Sequence, residues 1–488
     1  MHRLTARYLA GDPSLVPLIP WDWRSPPWEK VIQLRQGFPI DRRVLTQALL
    51  HQNAELIRTD PILRENIQAL EAPHTYTVTT GQQPGWLTGP LYTLIKATHT
   101  LQLAQHLNQT FQGRYRFVPI FWIASEDHDA AEVRSIALSW QLRLEYEGKF
   151  SGPVGRHRIE AAFPPQAQSL ALQRLWSPGK VWEAAFRESM QEIFRGSGLV
   201  WLSSDQPELK QLGTELWVQE IQNQLTYHAH HLAKDYLRQI GEKPSLHARH
   251  INLFWLSDTE RRYPEVSEKK ALLNAAYQTP ERLSPNVLLR PLFQEYILPN
   301  VAYVAGPAEV AYWLELVTVF SAFDIPMPVI YPRGHLRILM GVPPPLPQGV
   351  HLTHLWSYSQ SRLRTLLAEA WGEAILRQAE EWWYKHRPPH ETLYKEESFR
   401  HAARALQNFW QKWGKQLRRA ATRKAQKQYA REIKAALDYR SSIEPEGNLQ
   451  ERTLNIHAFS PEAPADWWGQ VAKKVQLKPG HMSWYGIE

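Results

Sequence analysis

Cysteine is absent from all 488 residues of the sequence. This absence excludes disulfides, thiolate zinc sites, iron–sulfur clusters and a cysteine nucleophile. The sequence also lacks the run of about 18 apolar residues that a membrane-spanning helix needs, because Glu315 interrupts the best stretch, Val310–Phe323. No apolar stretch of signal-peptide length follows the first residues. Together these features predict a soluble, cytoplasmic protein with no membrane partner.

The composition is otherwise that of a globular protein, with 43% hydrophobic and 21% charged residues. The 36 prolines are more than average, and the 21 tryptophans offer large apolar surfaces for a core. A chain of 488 residues exceeds the size at which one hydrophobic core stops growing. We therefore expect about two to four domains.

The net charge of +8 is concentrated in one segment, between Gln411 and Arg440. This segment holds ten Lys or Arg residues against two acids, so the rest of the chain is neutral overall. A basic helix can bind nucleic acid or a membrane surface, or can simply be a solvated helix face. The solvated face is our expectation, because nothing elsewhere in the chain indicates a polyanionic partner.

The first structural signature is a strand, a turn, a helix and a second strand. Thr75–Thr80 is β-branched and aromatic, and the glycines of Gly81–Gly85 end the strand. A helix is predicted to begin at the proline of Thr88–Pro90, with the threonine or glycine as its cap. Phe117–Ala124 is apolar almost throughout, as buried parallel strands are. This order predicts a βαβ unit of a nucleotide-binding sheet.

A similar pattern recurs later in the chain. Asn300–Ala305 is predicted to be a strand, Gly306–Glu309 a turn and Val310–Phe320 a helix, followed by a short strand at Met327–Tyr331. Between the two blocks, residues 145–290 show a mixed pattern. We interpret them as an insertion into the sheet domain.

The last part of the chain is predicted to be helical, after a polyproline hinge at Val342–Pro347. One helix is expected over Ser361–Tyr384, a break at Pro388-Pro389, and a second helix over about 398–437. Apolar residues of the second helix recur at steps of 4 and 3, which is a heptad seam. The seam consists of Phe399, Ala403, Leu406, Trp410, Trp413, Leu417 and Ala420. It predicts a coiled-coil arm that pairs two copies into a homodimer.

The glycine-rich turn Gly81–Pro90 is the first candidate site. Backbone N–H groups between a strand and a helix, together with the helix dipole, favour an anion. The turn is not a Walker A loop, and it lacks the G-x-G-x-x-G spacing of a dinucleotide site. Its Gln82, Gln83, Thr88 and Gly89 are candidates for binding hydroxyl or carboxylate groups, and a purely structural turn is the alternative.

A polar cluster, Glu126–Asp129, directly follows the second strand. Open α/β sheets bind ligands at this edge. Three carboxylates and an imidazole can capture an ammonium group, act as a general base or hold Mg²⁺. A transition-metal site would need a further ligand, which the sequence does not supply. The alternative is a polar loop in which Asp129 caps the next helix.

Two further candidates follow the later strands. Glu309 lies in a first helical turn, where an acid also simply stabilises the start of the helix. Arg333 can clamp a carboxylate or a phosphate, or form a surface ion pair. The most closely spaced histidines, His228, His230 and His231, do not share an i, i+4 face, and we predict that they are structural.

Five motifs in order resemble the signatures of one family. They are Thr80–Thr93, Pro119–Asp129, Ser284–Gln294, Leu298–Glu309 and Gly447–Arg452. The chain is similar over essentially its whole length to the BshC family, the cysteine ligases that complete bacillithiol biosynthesis. It departs from the family pattern at Ala305, Ala308 and Ser125, which stand where glycines are expected. These changes would tighten the loop beside Glu309 without removing a chemical group.

The resemblance implies an α/β fold with a Rossmann-like core related to class I aminoacyl-tRNA synthetases. The core would comprise residues 1–144 and 291–341, with connecting-peptide insertions in 145–290. Residues 342–440 would form a helical coiled-coil dimerisation domain. Residues 441–488 would form a C-terminal segment with a nucleotide pocket.

The resemblance also implies a reaction, the joining of L-cysteine through its carboxylate to the amine of glucosaminyl-malate. An amide does not form from these groups in water without activation, so ATP is the expected driver and Mg²⁺ is compatible with it. Asp127 and His128 are the strongest catalytic candidates, with Asp129 and Glu126 beside them. The expected substrate-binding residues are Gln82, Gln83, Thr88, Gly89, Glu309 and Arg333, and the nucleotide-binding ones Gln450, Glu451 and Arg452.

Two other functions remain open. One is a synthetase-like enzyme that acts on RNA through the basic helix, although nucleic acid is not the expected partner. RNA binding that falls steeply with salt would favour it. The other is a non-catalytic scaffold built on the coiled coil, in which changing Asp127 would have no effect.

Overall fold

A computed structural model describes residues 3–386 and 400–486 of the chain. The chain divides into two compact units. Unit 1 comprises the residues up to Arg337 together with Glu451–Tyr485, and unit 2 contains Ile338–Gln450. The domain boundaries expected from the sequence stay predictions.

The strands of the described residues form one sheet of five strands and smaller sheets of two or three. They are β1 (Thr75–Gln82), β2 (Arg116–Ile123), β3 (Ser135–Ala137), β4 (Arg143–Glu145), β5 (Val200–Ser203), β6 (Leu253–Leu256), β7 (Arg261–Arg262), β8 (Leu283–Pro285), β9 (Asn300–Ala305), β10 (Val329–Pro332), β11 (His335–Leu339) and β12 (Met482–Gly486).

The helices that precede β11 all belong to unit 1. They are α1 (Arg3–Ala10), α2 (Trp28–Gln36), α3 (Arg42–Gln52), α4 (Pro61–Ala69), α5 (Tyr92–Thr110), α6 (Ala130–Val133), α7 (Trp182–Phe194), α8 (Pro207–Leu212), α9 (Thr214–Asn223), α10 (Leu225–Gln239), α11 (Lys269–Gln278), α12 (Arg290–Ile297), α13 (Pro307–Leu314) and α14 (Val317–Ala322).

The remaining helices follow β11. They are α15 (His354–Ser357), α16 (Gln360–Trp371), α17 (Glu373–His386), α18 (Arg400–Gln428), α19 (Ala430–Ile443), α20 (Gln450–Thr453) and α21 (Pro464–Lys474). None of the helices in the described part of the chain combines the length and the apolar character required to cross a bilayer.

The centre of unit 1 is a five-stranded sheet in the order β10-β9-β1-β2-β5, and every neighbouring pair is parallel. The predicted α/β fold with a parallel sheet is therefore confirmed. Both faces of β1, β2 and β9 are covered, and Val78, Val118 and Val304 are fully buried. β2 and β9 are accordingly mainly apolar, whereas β1 is rich in buried threonine. β1 lies between β2 and β9, and the chain continues from β1 to β2 but from β9 to β10, so the connections after these two neighbouring strands run to opposite sides of the sheet. Such a position is where open α/β sheets form a ligand crevice.

The structure differs from the sequence-based expectations in some elements. β5 comes from the segment interpreted as an insertion, and it extends the central sheet. This four-residue strand is too short to give a pattern of its own. Helix α5 begins at Tyr92 rather than Pro90, because positive φ angles at Leu87 and Gly89 delay the helical turn.

Unit 2 is helical, and its core includes Leu363 and Leu367 of α16 with Ala425 of α18 and Ile433 of α19. The helix expected over 361–384 is split at Gly372, where a β-carbon would lie 2.4 Å from that of Ala425. The second helix is interrupted at Tyr429. The predicted break at Pro388-Pro389, the helix start near residue 398 and Phe399 lie outside the described residues.

Candidate active site

The candidate residues gather at the carboxyl edge of the central sheet. Gln82 is the last residue of β1, and Asp127 follows β2. Glu309 lies in the first turn of α13, directly after β9, and Arg333 follows β10. Because parallel strands end at one edge, these residues lie at the same edge although they are far apart in the sequence, and open α/β sheets form their ligand crevice at that edge.

Gln83 joins the turn after β1 to the loop after β2. Its Nε2 donates to Oδ2 of Asp127 at 2.6 Å and to Oε2 of Glu132 at 2.8 Å. Gln82 Nε2 donates to Gln83 Oε1 at 3.2 Å and to the Tyr92 hydroxyl at 3.0 Å. One amide therefore holds two carboxylates together at the mouth of the crevice.

Backbone hydrogen bonds hold the loop that carries Asp127. Val154 N donates to the carbonyl of Asp127 at 2.7 Å, and Gly155 N donates to that of Ser125 at 2.8 Å. Asp129 caps α6, accepting from the backbone N–H groups of Ala131 and Glu132. The capping role foreseen for Asp129 is thus present.

Glu126 points away from the crevice into the protein. Its side chain is 7% exposed and forms an ion pair with Lys210, whose own side chain is fully buried. Ser204 Oγ donates to its second oxygen at 3.0 Å. Both carboxylate oxygens are therefore engaged within the protein, and the pair anchors the residue that precedes Asp127.

His128 is exposed, with 56% of its side chain accessible. Its Nδ1 lies 3.3 Å from NH1 of Arg261, at the start of β7. Asp127 Oδ1 is 3.7 Å from the same nitrogen and instead accepts from the backbone N–H of His128 at 2.7 Å.

A partly buried ion pair lies at the same edge, between the ends of β1 and β9. The ammonium of Lys96, on α5, lies 2.7 Å from Oε2 of Glu309 and also donates to the Gly81 carbonyl. Tyr303 and the backbone N–H of Gly306 donate to the same carboxylate at 2.6 and 2.7 Å. Burial favours a higher pKa for Glu309, but Lys96 and these hydrogen bonds outweigh it and lower the pKa. Glu309 is therefore held as a carboxylate.

The turn between β1 and α5 has an uncommon backbone. Leu87, Thr88 and Gly89 have φ angles of 47°, 77° and 70°. Asn455 Nδ2 donates to the carbonyls of Leu87 and Gly89 at 2.8 and 2.6 Å. Thr88 is fully buried, and its hydroxyl has no hydrogen-bond partner among the residues that the structure describes.

Arg333 forms a buried ion pair, with its NH2 2.6 Å from Oε1 of Glu451. His335 Nδ1 lies 2.7 Å from the same oxygen. Burial favours a higher pKa for Glu451, but these two neighbours lower it to about 2. Gln450 hydrogen-bonds to the backbone of Ile338, and Arg452 is exposed. The side chains of Gln450 and Glu451 are thus engaged in contacts within the protein that stabilise the fold.

Sequence reasoning missed several residues of this edge. Lys96 could have been identified from the sequence, because a single lysine within an apolar helical pattern indicates a buried charge that needs a partner. Glu132 and Arg261 carried no local signal, because only the packing of their elements brings them to Gln83 and His128. Across residues 3–386 and 400–486, no group of three or more His, Asp or Glu side chains is arranged to hold a metal ion.

Comparison with known proteins gives consistent matches. A family model described as "Bacillithiol biosynthesis BshC, N-terminal Rossmann-like domain" matches residues 2–334. A Salinibacter ruber protein named "Putative cysteine ligase BshC" is 34% identical over 372 residues, which are 68% of this chain and 67% of that protein. A Cytophaga hutchinsonii protein of the same name is 32% identical, over 68% of this chain and 66% of that protein. A Bacillus cytotoxicus protein of that name is 31% identical, over 60% and 61%.

Proposed function

Because the chain belongs to the BshC family, whose Rossmann-like domain spans residues 2–334, we propose that it is a ligase that joins L-cysteine to glucosaminyl-malate. The product would be bacillithiol, with a new amide between the cysteine carboxylate and the sugar amine. The matched relatives are named cysteine ligases, and the matches cover about three fifths to two thirds of their length. The substrates and the use of ATP are therefore part of the proposal.

The reaction requires activation of the cysteine carboxylate. ATP would transfer either AMP, releasing pyrophosphate, or a phosphoryl group, releasing ADP. The free amine of the sugar would then attack the acyl carbon, forming the C–N bond and breaking the C–O bond to AMP or phosphate. The attacking nitrogen must lose a proton, so a base at the crevice contributes to the rate.

The contact that supports this proposal best is the one from Gln83 to Asp127 and Glu132. Two carboxylates on one amide at a crevice mouth suit a substrate that enters as an ammonium and reacts as an amine. We assign acceptance of the proton to Asp127, whose side chain is 32% exposed. Asp129 and Glu126 would hold its loop in place.

The other predicted residues take supporting roles in the proposal. Gln82, Thr88 and Gly89 would shape the turn that binds the substrate's carboxylate or phosphate groups, with Glu309 on the opposite side of the crevice. The charge of Arg333 is neutralised by Glu451, and Arg333 would act by holding the end of β10 in place. Nucleotide binding near residues 450–452 would rely on exposed Arg452, since the neighbouring side chains are engaged.

The test combines purified protein, glucosaminyl-malate, L-cysteine and ATP, and measures bacillithiol by mass together with AMP and ADP. AMP would indicate an acyl adenylate, and ADP an acyl phosphate. Asp127→Asn should lower the rate by about 10²–10⁴. Its thermal midpoint should change little, because the side chain lies at a loop surface. Asp466→Asn, an exposed aspartate on α21, is the matched control. Absence of bacillithiol with the unaltered protein would contradict the proposal.

Helix α18 favours a second candidate, contact with RNA. Its 29 residues include nine Lys or Arg and no acid, and all nine are exposed. A phosphate backbone would be attracted to such a helix, and the attraction would fall steeply between about 50 and 200 mM salt. Replacing Arg419, Arg423 and Lys427 with glutamate should abolish RNA binding, whereas changing Lys473 and Lys474 should not. Binding that is independent of salt would exclude this candidate.

A further inference from the structure

Arg261 lies beside one ring nitrogen of His128. A guanidinium has only N–H donors and accepts no hydrogen bond. Its NH1 lies 3.3 Å from Nδ1 of His128, so Nδ1 must be the acceptor of this bond. A neutral imidazole that accepts at Nδ1 carries its hydrogen on Nε2.

The arginine is itself held in place. Its Nε donates to Ser284 Oγ at 3.1 Å, and NH2 donates to the Pro285 carbonyl at 2.8 Å. The guanidinium carbon also lies 4.0 Å from the ring centre of Phe254. Phe254 and Ser284 are paired residues of β6 and β8, so one small sheet provides all three supports. The NH1 that faces His128 is therefore fixed in direction.

Asp127 does not compete for the same nitrogen. In the usual arrangement of a histidine base, a carboxylate accepts the hydrogen of Nδ1 and orients the ring. Here Oδ1 of Asp127 lies 3.7 Å from Nδ1 and accepts from the backbone N–H of His128. Oδ2 of Asp127 accepts from Gln83. The cluster thus lacks the carboxylate contact that would prepare His128 as a base.

We propose that Arg261 is a positioning residue that holds His128 as the Nε2–H tautomer, so that His128 donates a hydrogen bond to the substrate. Its target would be the acyl oxygen of activated cysteine, where negative charge develops as the amine attacks. Proton acceptance then belongs to Asp127 alone. This assignment rests on the proposed ligase function, and it changes the role expected for His128.

The tautomer can be measured without any substrate. Protein labelled with ¹⁵N-histidine is examined by long-range ¹H–¹⁵N correlation at about pH 8, where a free imidazole is neutral. His128→Gln identifies the His128 signals by their loss. We expect Nε2–H in the unaltered protein. Arg261→Met, which removes the donors, should give a mixture of tautomers. An Nδ1–H signal in the unaltered protein, or no change in Arg261→Met, would overturn the proposal.

The activity of two His128 variants distinguishes a hydrogen-bond donor from a general base at this position. The amide nitrogen of glutamine can occupy the position of Nε2, whereas that of asparagine lies nearer to Nδ1. His128→Gln should therefore keep kcat within about tenfold, while His128→Asn should lose about 10²-fold or more. Equal losses in both variants would indicate a base and overturn the proposal. If the unaltered protein makes no bacillithiol, the proposed function fails while the tautomer result stands by itself.

Discussion

At the scale of single residues, buried charged side chains connect the elements that meet at the carboxyl edge of the sheet. Lys96 is almost fully buried and touches the Gly81 carbonyl, Gln82 Oε1 and Glu309. Removing one partner of such a pair leaves an uncompensated charge, which costs more than the pair itself contributes. Lys96 therefore links the end of β1 to the start of α13.

Gln83 should behave as a binding residue. Gln83→Ala removes the amide that holds Asp127 and Glu132, and we expect KM to rise about tenfold with a smaller change in kcat. Steady-state kinetics with varied glucosaminyl-malate checks this, and Gln141→Ala, at an exposed glutamine, is the control. If Gln83→Ala abolishes turnover while His128→Ala does not, the chemistry lies on the turn rather than at the end of β2.

His99 should make unit 1 sensitive to acid. Burial, and then the nearby charges of Arg333 and His335, lower its pKa from 6.5 to about 3. The folded state therefore binds fewer protons than the unfolded state below pH 6.5. His99 therefore costs no free energy of unfolding above about pH 6.5, and the free energy of unfolding decreases as the pH falls from there towards 3. The slope is at most about 1.4 kcal/mol per pH unit for one proton.

The test of this pH dependence is His99→Asn. The side-chain oxygen of asparagine can still accept from Gly334 N, as Nδ1 does now at 2.9 Å, but it does not titrate. We expect a lower thermal midpoint at neutral pH and a smaller further loss between about pH 6.5 and 4.5. His51→Asn, at an exposed histidine, should leave the profile unchanged. Parallel profiles for His99→Asn and the unaltered protein would contradict the assignment.

At the scale of elements, the turn between β1 and α5 depends on the C-terminal segment of unit 1. Left-handed φ angles are costly for leucine and threonine, so the turn at Leu87 and Thr88 needs support from its surroundings. Gly85 allows a close approach, since a β-carbon there would lie 2.8 Å from the Cα of Gly89. Asn455 supplies the hydrogen bonds that hold the turn.

Asn455→Ala should loosen this turn. Two buried carbonyls, those of Leu87 and Gly89, would lose their donor. We expect a loss of about 2–4 kcal/mol in unfolding free energy and a higher KM for the substrate that the turn binds. Chemical denaturation and steady-state kinetics measure the two effects. Asn448→Ala, at an exposed asparagine, should change neither. An unchanged KM in a destabilised variant would mean that the turn is structural only.

At the scale of the whole molecule, unit 2 has aromatic side chains on its surface. Trp382, Tyr384 and Phe409 are 46%, 61% and 58% exposed. Within the described part of the predicted seam, Ala403 is buried, whereas Leu406 and Trp410 are only half-buried against their neighbours. Large exposed aromatics on paired helices are typical of a surface that another chain covers. The homodimer expected from the heptad pattern stays a prediction.

Light scattering at micromolar concentration tests the homodimer. We expect a dimer for the unaltered protein and a monomer when Tyr384 and Phe409 are both replaced with glutamate. Such charges would be buried without partners in the interface. Tyr277→Glu, at a residue of unit 1 that is 51% exposed, should remain dimeric. A monomeric unaltered protein would show that the helices of unit 2 do not pair copies.

The sequence alone determined the parts of this protein whose signal is local. Phe117–Ala124 predicted β2 because a strand covered on both faces is continuously apolar. Asn300–Ala305 predicted β9 with its observed bounds. The polar cluster that follows β2 was placed at the ligand edge, because parallel strands share that edge. Family motifs in the same segments agreed with the later match over residues 2–334.

Tertiary structure alone decided which distant residues meet at that edge. Glu309 pairs with Lys96, Arg261 with His128, and Asn455 with the turn at Leu87, each from a different part of the chain. These contacts follow from the order of the strands and from the packing of separate elements. A pattern over neighbouring residues records neither, because the periodicity of a helix or strand depends only on which of its faces is buried.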